Sequence, residues 1–276
     1  MSAGAGRRCG VLGDPIAHSL SPALHRAAYA ELGLDWTYDA HRVAAGDLEE
    51  LLSGLGGEWR GLSLTMPLKR EALPLVDRLT DRARLAGAVN TLVLEDDGTR
   101  VGDNTDLPGA VAAIRERTSI PLATATILGG GATATSVGLA LADLGVSTIV
   151  LAVRDEARAA ETLAALRAHP AAPEVVVSTL GTGPTGSDVV VSTIPAAAQT
   201  PELVARSAEA PVVFDVLYDP WPTPLVTAAA ERTFVGGLDL LVHQAVLQVE
   251  LFTGRTVSVD VLRDAGERAL AARHAG

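Results

Sequence analysis

The apolar run Ala125-Thr126-Ile127-Leu128 leads directly into Gly129-Gly130-Gly131-Ala132-Thr133-Ala134 and then into a helix-like segment. A strand that turns through glycines into a helix is the arrangement that receives a dinucleotide. The first glycine permits the tight turn, and the second lets the backbone approach a pyrophosphate. A small residue at Ala134 lets the helix pack closely on the sheet. A glycine-rich turn in any α/β protein can imitate this pattern, so the next strand matters. The β-like run 148–153 ends at Arg154, about twenty-five residues on, where an acidic residue would hold the ribose hydroxyls of NAD. Arginine stands there instead, with Arg158 following on the same helical face. Two cations suit a ribose 2′-phosphate and favour NADP over NAD. Solvated helix-end arginines are the alternative. Asp155, between them, opposes an anion.

At 276 residues the chain is long enough for two ordinary domains. Nearly half of it (48%) is apolar and only 3% is aromatic, so alanine, leucine and valine must fill the core. No uninterrupted apolar stretch approaches the length that spans a bilayer. The short basic start, Met1 to Arg8, does not read as a signal peptide. Cys9 is the single cysteine, which rules out an internal disulfide, and the six histidines show no ligand spacing. No metal is expected. A net charge of −11 argues against a nucleic-acid surface and against anionic lipid. The expectation is a cytoplasmic protein without a membrane or nucleic-acid partner.

Short β-like runs alternate with amphipathic segments, which is the mark of an α/β fold built on parallel sheet. Strands are expected at 9–13, 36–43 and 61–65. Ser21-Pro22 reads as a cap with proline at the first helical position, opening a helix to about Gly33. Helices are expected over 47–55 and 67–86, a hairpin over 90–102, and a helix over 106–117. A second unit begins near Ala123, with strands at 148–153, 174–179, 188–193 and 211–216, and a helix over 156–168. The stretch from Gly181 to Ser187 reads as a loop. After Gly236-Gly237, Leu240, Leu241, Gln244, Leu247, Gln248 and Leu251 recur at helical spacing, and 259–274 forms a last helix. The inferred division is 1–106 with 239–276, around an inserted unit 107–238.

Three further segments gather polar groups where strands end or helices begin, the places where a ligand meets free backbone N–H groups. In Asp14 to Pro22, Ser19 and Ser21 lie beside a helix N-terminus suited to a carboxylate, although Ser21 as a simple cap is equally consistent. In Ser63 to Lys69 a strand runs into a proline break; a solvated lysine is the common alternative there. Gly102-Asp103-Asn104-Thr105-Asp106 is an acidic turn between the units.

Together these segments resemble the shikimate dehydrogenases. The family's G-x-P-x-x-H-S-x-S-P matches Gly13 to Pro22. Its N-V-T-x-P-x-K corresponds to Ser63 through Lys69, with Thr65, Pro67 and Lys69 kept. A-x-N-T matches Ala88 to Thr91, and G-x-N-T-D matches Gly102 to Asp106. D-x-x-Y-x-P-x-x-T-P-L is present as Asp215 to Leu225, and G-x-x-M-L-V-x-Q-A appears as Gly237 to Ala245. Six segments in order, spanning residues 9 to 255, make the resemblance specific.

The resemblance implies an N-terminal α/β substrate domain with mostly parallel sheet, completed by the C-terminal helices, beside a Rossmann NADP domain. It implies reversible reduction of 3-dehydroshikimate to shikimate by NADPH, on the route to aromatic amino acids. Ser19 and Ser21 would hold the substrate carboxylate, with Tyr218 nearby. Thr65, Asn90 and Gln244 would bond the ring hydroxyls, and Lys69 and Asp106 would be the catalytic pair. Gly129, Gly130, Gly131, Ala132, Arg154, Arg158, Thr193 and Gly237 would serve the cofactor. The partner is a small-molecule substrate, with a homodimer as the assembly considered.

Three positions depart from the family. Ser63 replaces its asparagine, Val153-Arg154-Asp155 replaces its N-R-T, and Ala132 replaces the last glycine of its G-A-G-G-A turn. A quinate or aminoshikimate dehydrogenase shares nearly every motif, though the retained Ser19 and Ser21 favour shikimate. A catalytically inactive ligand-binding paralogue is the rival from another class, and intact Lys69 and Asp106 oppose it.

Overall fold

The structure is a computed structural model and describes residues 6–181 and 186–274, the side chains of Arg158 and His274 excepted. Residues 182–185 of the expected Gly181–Ser187 loop therefore lie outside the described residues. The chain forms two compact units. One ends at Thr105 and resumes at Leu241, and the other comprises Asp106–Leu240.

The first unit contains β1 (Arg8–Gly13), α1 (Ser21–Glu31), β2 (Thr37–Arg42), α2 (Leu48–Ser53), β3 (Trp59–Leu64), α3 (Leu68–Glu71), β4 (Arg78–Leu79), α4 (Asp81–Ala86), β5 (Thr91–Leu94) and β6 (Arg100–Asp103). Its sheet runs β2-β1-β3-β5-β6-β4. β1 pairs in parallel with β2 and β3, and β4 in parallel with β6, while β5 is antiparallel to both β3 and β6. Leu12, Leu62, Leu64 and Leu92 from the sheet pack with Leu48, Leu52 and Leu68 from the helices in one buried cluster. α1 buries Leu24, His25, Ala28 and Tyr29, which recur at helical spacing along one face.

The expected helix over 67–86 is broken. Pro74 has no N–H to donate, and the chain turns extended at Val76 (φ −112°, ψ 147°). Arg78 and Leu79 then pair with β6, and the Thr80 hydroxyl accepts the Ala83 N–H to start a new helix. Ser21 is also not the cap of α1. Leu20 holds that position and no side chain caps the helix.

The second unit contains α5 (Asp106–Arg117), β7 (Thr124–Leu128), α6 (Ala132–Asp143), β8 (Thr148–Val153), α7 (Ala160–Arg167), β9 (Glu174–Thr179), β10 (Val189–Ser192), α8 (Pro201–Ser207), β11 (Val212–Asp215), α9 (Pro224–Ala228) and β12 (Thr233–Gly236). The sheet order is β12-β11-β10-β7-β8-β9, and every pair is parallel. Numbered within the unit this is 6-5-4-1-2-3, the order of the dinucleotide-binding fold. β12, α8 and α9 were not anticipated. Both helices open on a Thr-Pro pair whose threonine caps them, Thr200-Pro201 and Thr223-Pro224, a local signal that could have revealed them.

α10 (Gly237–Thr253) begins in the second unit and ends in the first, and α11 (Val259–His274) lies in the first, packed on α1. The C-terminal helices thus complete the N-terminal unit, as the resemblance implied. Among the described residues no helix is long and apolar enough to cross a membrane.

Candidate active site

In the first unit β1 and β3 are neighbours with Leu12 opposite Leu64, so Gly13 and Thr65 lie at adjacent strand ends. Ligands of α/β sheets bind at such carboxyl ends. The approach is close: a Cβ on Gly13 would meet Thr65 Cγ2 at 2.4 Å. Two of the flagged segments, Asp14–Pro22 and Ser63–Lys69, are therefore brought together where the Asp14 N–H donates to the Met66 carbonyl at 3.0 Å.

Ser19 is half-buried and its hydroxyl accepts the Ser21 N–H at 3.3 Å. Ser21 is buried at the first position of α1, and its side chain makes no capping bond. From α11 the Arg273 guanidinium donates to the carbonyl oxygens of His18 (2.8 Å) and Ser19 (3.3 Å). This cation beside the serine loop was not foreseen, because it comes from the other end of the chain.

Thr65 and Lys69 are half-buried, and Lys69 sits in the short α3, where its carbonyl accepts the Val89 N–H at 2.7 Å. Asn90 is 2% exposed. Its Oδ1 accepts the Thr105 N–H at 2.7 Å, and its Nδ2 donates to Thr105 Oγ1 at 2.9 Å and towards Gln244 Oε1 at 3.4 Å. Asn90, Thr105 and Gln244 thus form one buried polar cluster, drawn from the residue before β5, the turn after β6, and α10.

The acidic turn is held from below. The Asp103 carboxylate accepts from Thr80 Oγ1 and Arg82 Nε, both at 2.6 Å, and from the Asn104 N–H at 2.7 Å, with the Arg82 Nη2 bond completing a fork. Burial raises the pKa of this carboxyl, but the bonds from Arg82 and Thr80 and the Arg82 charge outweigh it, and the net shift is downward. Asp106, which opens α5 in the second unit, is buried.

In the second unit Gly129 adopts φ +110°, and a Cβ there would lie 2.3 Å from Thr193 Oγ1. Thr193 donates to the Leu128 carbonyl at 2.9 Å, which fixes the start of the turn. Thr162, fully buried on α7, donates to the Gly130 carbonyl at 2.8 Å and pairs with Thr135 on α6 at 2.7 Å. A Cβ on Gly131 would meet nothing within 4 Å, and no side chain caps α6, which starts at Ala132. An open cradle at the N-terminus of a long helix fits a pyrophosphate.

Arg154 is exposed just after β8. It does not share a helical face with Arg158, because α7 starts only at Ala160 and Arg158 lies in the 3-10 turn Ala157–Ala159. The Arg158 side chain is outside the described residues. Asp155 is engaged in starting that turn, its carboxylate accepting the Ala157 N–H at 3.0 Å. Asp215, fully buried, accepts from Gln199 Nε2 (2.8 Å), Thr223 Oγ1 (2.7 Å) and the Leu217 N–H (3.1 Å), which fixes the segment leading to half-buried Tyr218. Burial pushes its pKa up, against those bonds. Gly237 packs on this segment at the start of α10. Among the described residues no group of three or more histidine, cysteine or acidic side chains could hold a metal ion.

Two family models match, the shikimate dehydrogenase substrate binding domain over residues 11–92 and the shikimate 5′-dehydrogenase C-terminal domain over 237–265. The shikimate dehydrogenase (NADP(+)) of Synechococcus sp. (strain JA-3-3Ab) is 36% identical over 95% of this chain and 94% of its own length. The crystal structure of Mycobacterium tuberculosis shikimate dehydrogenase is 39% identical, with a TM-score of 0.83 over 96% of this chain and 99% of that one. Quinate dehydrogenase from Corynebacterium glutamicum, solved with NAD, is 28% identical with a TM-score of 0.85, over 95% and 99% of the two chains.

Proposed function

The chain belongs to the shikimate dehydrogenase family, and on that premise we propose that it catalyses the reversible NADPH-dependent reduction of 3-dehydroshikimate to shikimate. The observation that carries this reading is the presence, within one unit, of two serines at the start of α1 and the buried Asn90–Thr105–Gln244 cluster. Hydroxyl donors for a carboxylate and amide groups for ring hydroxyls are the chemistry that this substrate requires. The assignment of residues 1–106 with 239–276 to substrate and 107–238 to cofactor is part of the proposal.

NADPH, when bound, supplies a hydride to the carbonyl carbon. The glycine turn and the N-terminus of α6 would hold its pyrophosphate, Arg154 and Arg158 its 2′-phosphate, and Thr193 and Gly237 the nicotinamide side. Ser19 and Ser21 bind the substrate carboxylate, with Tyr218 beside it. Thr65, Asn90 and Gln244 fix the ring through its hydroxyls. As charge develops on the carbonyl oxygen, the Lys69 ammonium donates a proton to it, and Asp106 orients the reacting oxygen. In the reverse direction Lys69 takes the proton back as hydride leaves. Identities of 36% and 39% to two shikimate dehydrogenases, together with serine at both 19 and 21, support shikimate as substrate. A cytoplasmic location and a homodimeric assembly belong to the same reading. The test is to mix 3-dehydroshikimate with NADPH and the protein and identify the product by NMR. Shikimate formed together with NADP⁺ supports the reading, and no consumption of either reactant ends it.

A further inference from the structure

Gln248 lies one helical turn beyond Gln244 on α10 and is 1% exposed, yet no step above uses it. Its amide orientation is fixed by its neighbours. Nε2 donates to the Asn90 carbonyl at 3.3 Å and to Thr91 Oγ1 at 2.9 Å, and a reversed amide would set two acceptor oxygens against each other. Oε1 then accepts from Ser63 Oγ at 2.8 Å and from His25 Nε2 at 3.2 Å. Ser63 in turn accepts the Tyr38 phenol at 2.6 Å. His25 stacks on Tyr38 at 4.0 Å between ring centres, and burial lowers its pKa to about 3, so it is neutral and donates through Nε2.

The direction of each bond follows. Tyr38 donates to Ser63, and Ser63 donates to Gln248. Gln248 donates to Thr91, and Thr91 donates to Asn90 Oδ1 at 2.8 Å. Asn90 Oδ1 also takes the Thr105 N–H, so Asn90 Nδ2 is turned towards Thr105 Oγ1 and Gln244. Every link is buried, where an unmade hydrogen bond costs most. Ser63 stands opposite Thr91 in the β3–β5 register, which lets a single glutamine reach both.

We propose that Gln248 is a positioning residue that fixes the orientation of the Asn90 side chain through Thr91 and anchors it to Tyr38 through Ser63. It does not touch substrate. It sets which face of Asn90 meets a ring hydroxyl, and the assignment of that hydroxyl rests on the proposed function. The serine at 63 belongs to the same device, because its short hydroxyl bridges Tyr38 and Gln248 directly.

The test is a double-mutant cycle of Gln248→Met and Thr91→Val, with two readouts. The first is the pair of Asn90 side-chain NH₂ signals in the ligand-free protein, assigned by their loss in Asn90→Asp. Both variants should move these signals, and the double variant should resemble Gln248→Met alone. The second is kinetic: Gln248→Met should raise the shikimate KM about tenfold or more, leave the NADP⁺ KM within about twofold, and show no added loss with Thr91→Val. Unmoved Asn90 signals in a folded variant, or a double variant whose losses simply multiply, would overturn the proposal. If Gln248→Met does not fold, Thr91→Val with the same two readouts decides it. Moved signals in an enzyme inactive on shikimate would count against the proposed function and leave the positioning role standing.

Discussion

Gly237 approaches Val216 so closely that a Cβ on it would lie 2.4 Å from the Val216 carbonyl oxygen, and 2.5 Å from that of Leu217. No side chain fits there without moving the backbone that leads to Tyr218. Gly237→Ala should therefore destabilise the protein by about 1–3 kcal/mol, the usual cost of overpacking. Gly236→Ala, whose Cβ would meet the Phe234 ring at 3.1 Å, should cost less. Urea denaturation of the two variants checks this. Equal stability of Gly237→Ala and wild type would show that the segment yields freely.

Asp103 is the anchor of the acidic turn, and its bonds to Arg82 and Thr80 hold its pKa below the ordinary carboxylate value despite burial. Removing one member of a buried pair costs roughly 3–5 kcal/mol, and because Arg82 is about one-third exposed we expect the lower end for Asp103→Asn. A depressed folded-state pKa stabilises above the unfolded value, about pH 4, and is lost as pH falls through the folded value. The stability gap between wild type and variant should be full at neutral pH and close in acid below about pH 4. A pH-independent gap would mean that the charge contributes nothing.

Arg154 is exposed at the end of β8, where an NADP 2′-phosphate would be read, and Asp155 beside it starts the next turn. Arg154→Ala should raise the KM for NADP⁺ by about tenfold, the lower range for a charge-assisted bond at an exposed site, with little effect on NAD⁺. Asp155→Thr keeps an oxygen able to accept the Ala157 N–H while removing the opposing charge, so it should shift preference further towards NADP⁺. Equal KM changes with both cofactors in steady-state assays would make Arg154 a structural residue.

The parts of this molecule that are legible in its sequence are the local ones. The glycine turn after β7 and the strand ending at Arg154 can be read because periodicity and turn chemistry act over a few residues. The break at Pro74 is harder, since helical spacing on either side conceals a two-residue strand that exists only by pairing with β6. Ser21-Pro22 imitates a cap, but the preceding Leu20 is helical in φ and ψ, and Ser19 supplies the local bond instead. The site shows the same limit. Ser19 and Asn90 are visible as polar residues at element ends, and Gln244 as a polar residue within the helical spacing of α10. The link from Ser63 to Gln248 spans most of the chain and follows from sheet register and helix packing, neither of which spacing reveals.

Lys69→Ala should lower kcat by about a hundredfold to ten-thousandfold while leaving shikimate binding largely intact, the usual loss for a general acid or base. The Val89 N–H bonds the backbone carbonyl of Lys69, so truncating the side chain leaves that contact in place. Stopped-flow and steady-state turnover, with shikimate affinity measured by calorimetry, separate the two effects. Near wild-type turnover would remove Lys69 from the mechanism.

The proposed activity is the NADP-dependent dehydrogenation of shikimate. The direct measurement is kcat/KM for the four combinations of shikimate or quinate with NADP⁺ or NAD⁺, followed by absorbance of the reduced nicotinamide. We expect shikimate with NADP⁺ to exceed the other three, quinate to be poor with either cofactor, and NAD⁺ to trail NADP⁺ by a moderate margin. Preference for quinate, preference for NAD⁺, or no turnover in any combination would contradict it.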